Sequence, residues 1–148
     1  MRAIGPPLSA SETAAFIAEA RTYVTDGVRF RHQGRSRRGV DCAGLLLASM
    51  AAIGRPITDL AAYGREPLGG GLRGMLVANL GEPVPKDEMR PGDVVLMRFR
   101  GEPTHVGMLG DYVHGGCSLI HAYAMMKKVV EHRIDEEWDG YIIEVFRP

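Results

Sequence analysis

The sequence predicts an α+β domain in which helices pack on one face of a small antiparallel sheet of about five strands. Three observations predict it. The first half of the chain has apolar residues at helical spacing, the second half has short β-rich runs, and Gly, Pro or charged residues separate those runs. A chain of 148 residues has the size of one globular domain, so we expect residues 1–148 to form a single domain.

Two helices are predicted in the first third of the chain. Ser9 and Glu12 have the Ser-x-x-Glu spacing of a capping box, and the apolar residues that follow predict a helix from about Ala10 to Val24. Asp41 can cap a second helix, whose leucine-rich sequence continues to Gly54, a typical C-terminal stop. So many leucines predict a buried central helix.

The remaining elements follow from shorter signals. Residues 28–40 are rich in Arg and Gly and predict an extended, irregular loop. Short helical pieces are predicted at Thr58–Tyr63 and Leu72–Asn79, and Arg90-Pro91-Gly92 is a turn signal that precedes the strands. The predicted strands are Asp93–Phe99, His105–Leu109, Ser118–Tyr123, Lys128–Ile134 and Tyr141–Phe146.

Charge and hydropathy exclude several classes of function. Eighteen basic residues balance eighteen acidic ones, so no net field attracts nucleic acid or an anionic membrane. Five arginines between Arg29 and Arg38 form a local basic cluster, which is usually a solvated face but could hold a substrate carboxylate beside a cleft. No apolar run is long enough for a membrane span, and the first residues lack the apolar segment of a secretory signal.

Cys42 is the first candidate for chemistry. It directly follows the predicted cap at Asp41, where the helix dipole favours an anion, so we expect a lowered thiol pKa and a reactive thiolate. Ala43 and Gly44 are small, and the backbone N–H of Cys42 is a candidate oxyanion donor. Its position alone is equally compatible with a buried, inert cysteine. Cys117, at a predicted strand start, is interpreted as a packing residue.

Two histidines lie in short apolar strands, where a buried imidazole needs a partner for each ring nitrogen. If the strands of His105 and His121 are neighbours, one ring can face Cys42 and the other can orient the first. Three zinc ligands are the alternative, but the usual short ligand spacings are absent, so we expect no metal. Exposed or rim roles are predicted for His32, His114 and His132.

Four ordered motifs carry a resemblance to a known family. Together they are more specific than any one of them, and the similarity extends from about Gly27 to Ile134. The motifs are Asp41-Cys42-Ala43-Gly44-Leu45-Leu46, Arg90-Pro91-Gly92-Asp93-Val94-Val95, Thr104-His105-Val106-Gly107-Met108 and Leu119-Ile120-His121-Ala122. With these motifs in this order, the chain resembles the NlpC family of papain-like cell-wall peptidases.

The resemblance implies a papain-like fold and a role for each catalytic residue. Cys42 is expected to be the nucleophile, His105 the general base and His121 the residue that orients the base. The implied substrate is a peptidoglycan stem peptide, cut between D-glutamate and diaminopimelate in many members, with no cofactor.

Two positions depart from the family pattern. Phe30, twelve residues before Cys42, stands where the family often has a tyrosine whose hydroxyl lies near the active site. Ala43 stands where serine is common. We therefore expect the substrate-binding or oxyanion region to involve Phe30, His32, Gln33 and Asp41, with His32, Gln33 or the backbone replacing the missing hydroxyl.

A compact chain without an evident signal resembles peptidases encoded with phage tails and gene-transfer particles. This similarity implies synthesis in the cytoplasm, association with tail proteins of the particle, and action in the periplasm or cell wall. The alternative is a structural or assembly component of a tail tip with weak or no catalysis. Phe30 and the missing export signal motivate that alternative.

Overall fold

A five-stranded antiparallel sheet forms the centre of the fold in the computed structural model, which describes residues 5–60, 71–101 and 103–148. In the described residues the helices are α1 (Ala10–Thr25), α2 (Cys42–Ala52), α3 (Gly71–Leu80) and α4 (Glu136–Tyr141). A short hairpin is made by β1 (Arg35–Ser36) and β2 (Gly39–Val40). The sheet contains β3 (Val94–Met97), β4 (His105–Asp111), β5 (Cys117–Tyr123), β6 (Lys128–Arg133) and β7 (Ile142–Phe146).

The strand order in the sheet is β6-β5-β4-β3-β7, with every neighbouring pair antiparallel. Strands β3, β4 and β5 are each paired with the next strand along the chain, as in a meander, and β7 returns to pair with the open edge of β3. All four residues of β3 are buried because both faces of that strand are covered. The sheet therefore supports packed layers on two sides.

Helices α1 and α2 cover one face of the sheet. Ser9 and Glu12 form the capping box that starts α1, with each side chain bonded to the backbone of the other residue. Alternate strand residues such as Val106, Met108 and Ile120 pack against this layer, together with Phe16 of α1. The nucleophile candidate thus begins a helix that is held against the sheet by the main core.

The opposite face carries a smaller core. Val95, Leu109 and Leu119 belong to it, and Trp138 of α4 packs against it. Because successive strand residues point to opposite faces, His105 and His121 share the face of Leu109 and Leu119. Helix α2 contacts β4 and β5, the two strands that carry these histidines.

The predicted fold class is confirmed, and α1, α2, α3 and all five strands occur where the sequence predicts them, within a few residues at each end. Helix α4 and the β1–β2 hairpin were not predicted, and the hairpin lies in the segment predicted to be irregular. The predicted helix at Thr58–Tyr63 lies partly outside the described residues, and Thr58–Leu60 is not helical.

Candidate active site

Asp41 fixes the start of α2. Its carboxylate accepts hydrogen bonds from the backbone N–H of Gly44 at 2.8 Å and of Gln33 at 3.0 Å. The Arg35 guanidinium adds a charge-assisted bond of 2.8 Å. Asp41 is only 4% exposed, so these donors satisfy a carboxylate that burial would otherwise destabilise. This residue therefore fixes the start of the helix that carries Cys42.

A second contact joins the arginine-rich segment to α2. A Cβ atom added to Gly44 would lie 2.1 Å from the carbonyl oxygen of Gly34, so the two backbones approach more closely than any side chain allows. Gln33, next to this contact, has a left-handed φ of 58°. The segment that the sequence predicts to be irregular is thus held against the helix N-terminus by specific backbone contacts.

The predicted oxyanion residues on this segment have different positions. Phe30 is half-buried, packs against the main core, and donates its backbone N–H to the carbonyl of Lys127. The side chains of His32 and Gln33 are exposed. Phe30 has no hydroxyl to offer, so the donors that the structure places at Cys42 are backbone N–H groups.

Cys42 is the first residue of α2 and lies beside the start of β4. The backbone N–H groups of Val106, Ala43 and Cys42 itself lie near its sulfur and lower its pKa. Burial and the negative charge of Asp41 act in the opposite direction and raise the pKa of Cys42 to about 12. The expectation of a lowered pKa is therefore wrong, because desolvation of the thiolate outweighs the helix N-terminus.

His105 and His121 meet on neighbouring strands. The Nε2 atom of His105 lies 2.7 Å from Nδ1 of His121, and the two rings are nearly perpendicular. Burial lowers the pKa of His105 to about 4, while the charge of Asp41 opposes that shift. Burial and the other two histidines lower the pKa of His121 to about 2. Both imidazoles are therefore neutral near pH 7.

A third histidine joins this pair, in contrast to the exposed or rim role that the sequence suggests for it. Nε2 of His132 lies 2.9 Å from Nε2 of His121, and Nδ1 of His132 lies 2.9 Å from the carbonyl oxygen of Arg133. In the sheet register Leu119 pairs with His132, which places His121 and His132 diagonally on one face. The sequence did contain a signal for this cluster, a histidine on each of three successive predicted strands. It did not give the strand register that brings the three rings together.

Aromatic residues surround the three imidazoles. Trp138 of α4 contacts the rings of both His121 and His132, with centroid distances of 5.2 and 4.6 Å. Phe99 is 40% exposed and its ring centroid lies 5.3 Å from that of His105. Tyr123 stacks on His121. These side chains limit water at the buried histidines and were not predicted, since they lie on separate elements.

Two arginines of the predicted basic cluster form ion pairs with acidic residues. Arg35 binds Asp41 and Asp59. Arg37 binds Glu19 and Asp26, and its guanidinium lies 3.8 Å from the centroid of the Tyr23 ring. The structure therefore gives these two arginines a role in holding the segment to α1 and α2.

Comparisons with known proteins bear on the family and the fold of the chain. The model of the NlpC/P60 family matches residues 27–147. A search of curated proteins found no match. Among solved structures, the chain is similar to the NlpC/p60 domain of the peptidoglycan hydrolase SagA, with a TM-score of 0.64 and 20% identity over 92% of this chain and 98% of that domain.

Two further structures are similar. A lipoprotein-like protein of the NLP/P60 family from Staphylococcus aureus subsp. aureus Mu50 has a TM-score of 0.70 at 16% identity, covering 99% of this chain. The chain spans 44% of the length of that protein. The peptidoglycan hydrolase RipB from Mycobacterium tuberculosis has a TM-score of 0.59 at 18% identity, covering 99% of this chain and 73% of RipB. These likenesses show a common fold.

Across residues 5–60, 71–101 and 103–148, every helix is too short or too polar to cross a bilayer.

Proposed function

This chain belongs to the NlpC/P60 family of cysteine peptidases that act on peptidoglycan, and from that premise we propose Cys42 as its nucleophile, His105 as the general base and His121 as the residue that orients the base. One observation carries the assignment. The bond of 2.7 Å to His121 occupies Nε2 of His105, at the point where the backbone N–H of the next residue, Val106, is close enough to the Cys42 sulfur to lower its pKa. Nδ1 of His105 is therefore the ring nitrogen that takes the proton of the Cys42 thiol.

The reaction starts from an uncharged pair. The raised pKa of Cys42 and the lowered pKa of His105 favour a neutral thiol beside a neutral imidazole. As the sulfur attacks the amide carbonyl, its proton passes to Nδ1 of His105, and the S–C bond forms while the carbonyl electrons move to oxygen. The His105 imidazolium then protonates the departing amine, the C–N bond breaks, and an acyl-enzyme remains.

Deacylation reverses these roles. His105 removes a proton from water, the resulting hydroxide equivalent attacks the thioester, and the thiolate leaves with its proton returned from His105. The developing oxyanion needs donors in both halves of the reaction. The backbone N–H of Cys42 is one candidate, and removal of a single oxyanion donor typically lowers kcat by about 100- to 1000-fold.

The test is peptide release from purified peptidoglycan by matched cysteine variants. Cys42→Ala is expected to abolish the release of stem-peptide fragments. Cys117→Ala is the control, because Cys117 lies at the start of β5, is half-buried, and packs against the second core. Undiminished release by the Cys42→Ala variant would remove Cys42 from the mechanism.

The bond between D-glutamate and diaminopimelate is the scissile bond that we propose, and family resemblance is its support. Mass spectrometry of the products distinguishes it from other bonds, since this cleavage frees the α-amino group of diaminopimelate. Fragments with a different new amino terminus would assign another bond to the same nucleophile.

Delivery by a phage-like tail is a separate part of the proposal, supported by the resemblance of the domain to tail-associated peptidases. Immunogold labelling of purified particles is expected to place the chain at the tail. Particles that carry none of the chain would contradict this assignment.

A structural component of a tail tip with little catalysis is the second candidate. Phe30, which lacks a tyrosine hydroxyl, and the raised pKa of Cys42 favour it. Identical, negligible peptide release by wild type and the Cys42→Ala variant would support this candidate over the peptidase.

A further inference from the structure

The carbonyl oxygen of Arg133 sets the direction of the hydrogen bonds between the three histidines. A carbonyl can only accept, so Nδ1 of His132, at 2.9 Å, must carry a proton and donate it. When His132 is neutral, its Nε2 is therefore unprotonated and acts as an acceptor.

The remaining tautomers follow one after another. Nε2 of His121, 2.9 Å from Nε2 of His132, has to be the donor in that pair. Nδ1 of His121 is then an acceptor, so Nε2 of His105, 2.7 Å away, donates to it. His105 is left with an unprotonated Nδ1. The opposite direction would require a charged His132, because its Nδ1 donates to the carbonyl in either case.

We propose that His132, together with the Arg133 carbonyl, is a positioning residue that selects the tautomers of His121 and His105 and so keeps Nδ1 of His105 available as the base. This inference rests on the proposed function, in which that nitrogen takes the proton of Cys42. It extends the site by one residue, which acts through its bond to His121.

The surroundings hold this arrangement in place. His121 is 0% exposed and His105 is 7% exposed, so the bond between these two rings is shielded from water, while His132 is half-buried. The Trp138 ring packs against His121 and His132. On β4, a Cβ atom added to Gly107 would lie 3.4 Å from Cβ of His121 and 2.6 Å from Cδ1 of Leu119, so the missing side chain gives these residues their space.

The tautomers can be measured directly in the wild-type chain. Long-range proton–nitrogen correlation NMR at neutral pH, on the isotope-labelled protein, distinguishes Nδ1–H from Nε2–H imidazoles and both from imidazolium. The expected result is an Nδ1–H tautomer for His132 and Nε2–H tautomers for His121 and His105. A charged His132, or an Nδ1–H tautomer at His105, would overturn the proposal.

Variants at position 132 test the consequence for catalysis. His132→Phe keeps a planar ring but removes the acceptor, and we expect kcat/KM on a stem-peptide substrate to fall about 10- to 100-fold with a mixed tautomer signal at His121. His132→Gln keeps an acceptor oxygen near the former Nε2 and is expected to restore most of the activity and the Nε2–H tautomer of His121. His114→Gln is the control, since His114 is exposed and its ring contact is to Tyr112.

These measurements separate the two proposals. If wild type and Cys42→Ala release the same amount of peptide, the proposed peptidase function fails, while the NMR spectra still decide the tautomers. If Cys42→Ala is inactive but His132→Phe has full activity and unchanged tautomers, the peptidase function stands and the role of His132 is refuted. Should the Phe variant fail to fold, the wild-type spectra and the Gln variant decide the question.

Discussion

Replacement of Gly44 by alanine perturbs the catalytic helix through a single methyl group. That methyl group would lie 2.1 Å from the carbonyl oxygen of Gly34, 3.1 Å from Nη1 of Arg35 and 3.3 Å from Oδ1 of Asp41. The first contact is with backbone, so the segment must move by about 1 Å before the methyl group fits. The atoms that must move include those that hold the helix cap.

The magnitude follows from two destabilising terms and one stabilising term. Overpacking of this kind destabilises by about 1–3 kcal/mol, and loss of the charge-assisted bond from Arg35 to Asp41 adds about 1.5–3 kcal/mol. The higher helix propensity of alanine offsets at most about 1 kcal/mol. We expect a net loss of about 2 kcal/mol or more in the free energy of unfolding, which corresponds to a Tm lower by about 4–8 °C.

Gly74→Ala is the matched control. Gly74 also lies in a helix, α3, and an added Cβ there meets no atom within 4 Å, so alanine is expected to stabilise by about 0.5–1 kcal/mol. Urea titration of both variants and of wild type gives the comparison, with kcat/KM on peptidoglycan fragments as a second readout. A Gly44→Ala variant as stable as Gly74→Ala would refute the close approach of Gly34 to α2.

Three further predictions concern buried polar groups. Because burial holds the pKa of His105 at about 4 and that of His121 at about 2, both below the ordinary 6.5, the unfolded chain binds protons that the folded chain does not. The free energy of unfolding should therefore fall as pH drops below about 6.5, and equal urea midpoints at pH values of about 7 and 5 would contradict this. Arg147→Met should destabilise by about 3 kcal/mol, since it leaves the carboxylate of Asp93, 1% exposed, without its cationic partner; adding Asp93→Asn should recover part of the loss in thermal unfolding. Ser49→Ala should raise the free energy of unfolding by about 1 kcal/mol, because the buried Oγ of Ser49 has no hydrogen-bond partner among the described residues. A lower urea midpoint for this variant would contradict the prediction and would mean that the hydroxyl makes a hydrogen bond.

Local sequence signals predicted most of the fold. The capping box of Ser9 and Glu12, the cap at Asp41 and the alternation of the later strands act over a few residues, so their outcome could be read without tertiary structure. Helix α4 is a six-residue helix, too short for a periodic signal, and it was missed. The β1–β2 hairpin was missed because its stability comes from contacts with α2 and α1.

The sequence by itself determined where the thiol stands: Cys42 follows a helix cap, and small residues follow it. It also placed His105, His121 and His132 on successive strands. Only the tertiary structure decided that these rings meet diagonally across β4, β5 and β6, because strand register depends on turns and packing that no single strand specifies. The direction of the Cys42 pKa shift likewise required the folded chain, since burial is a property of all the elements that pack around the sulfur and outweighs the local helix dipole.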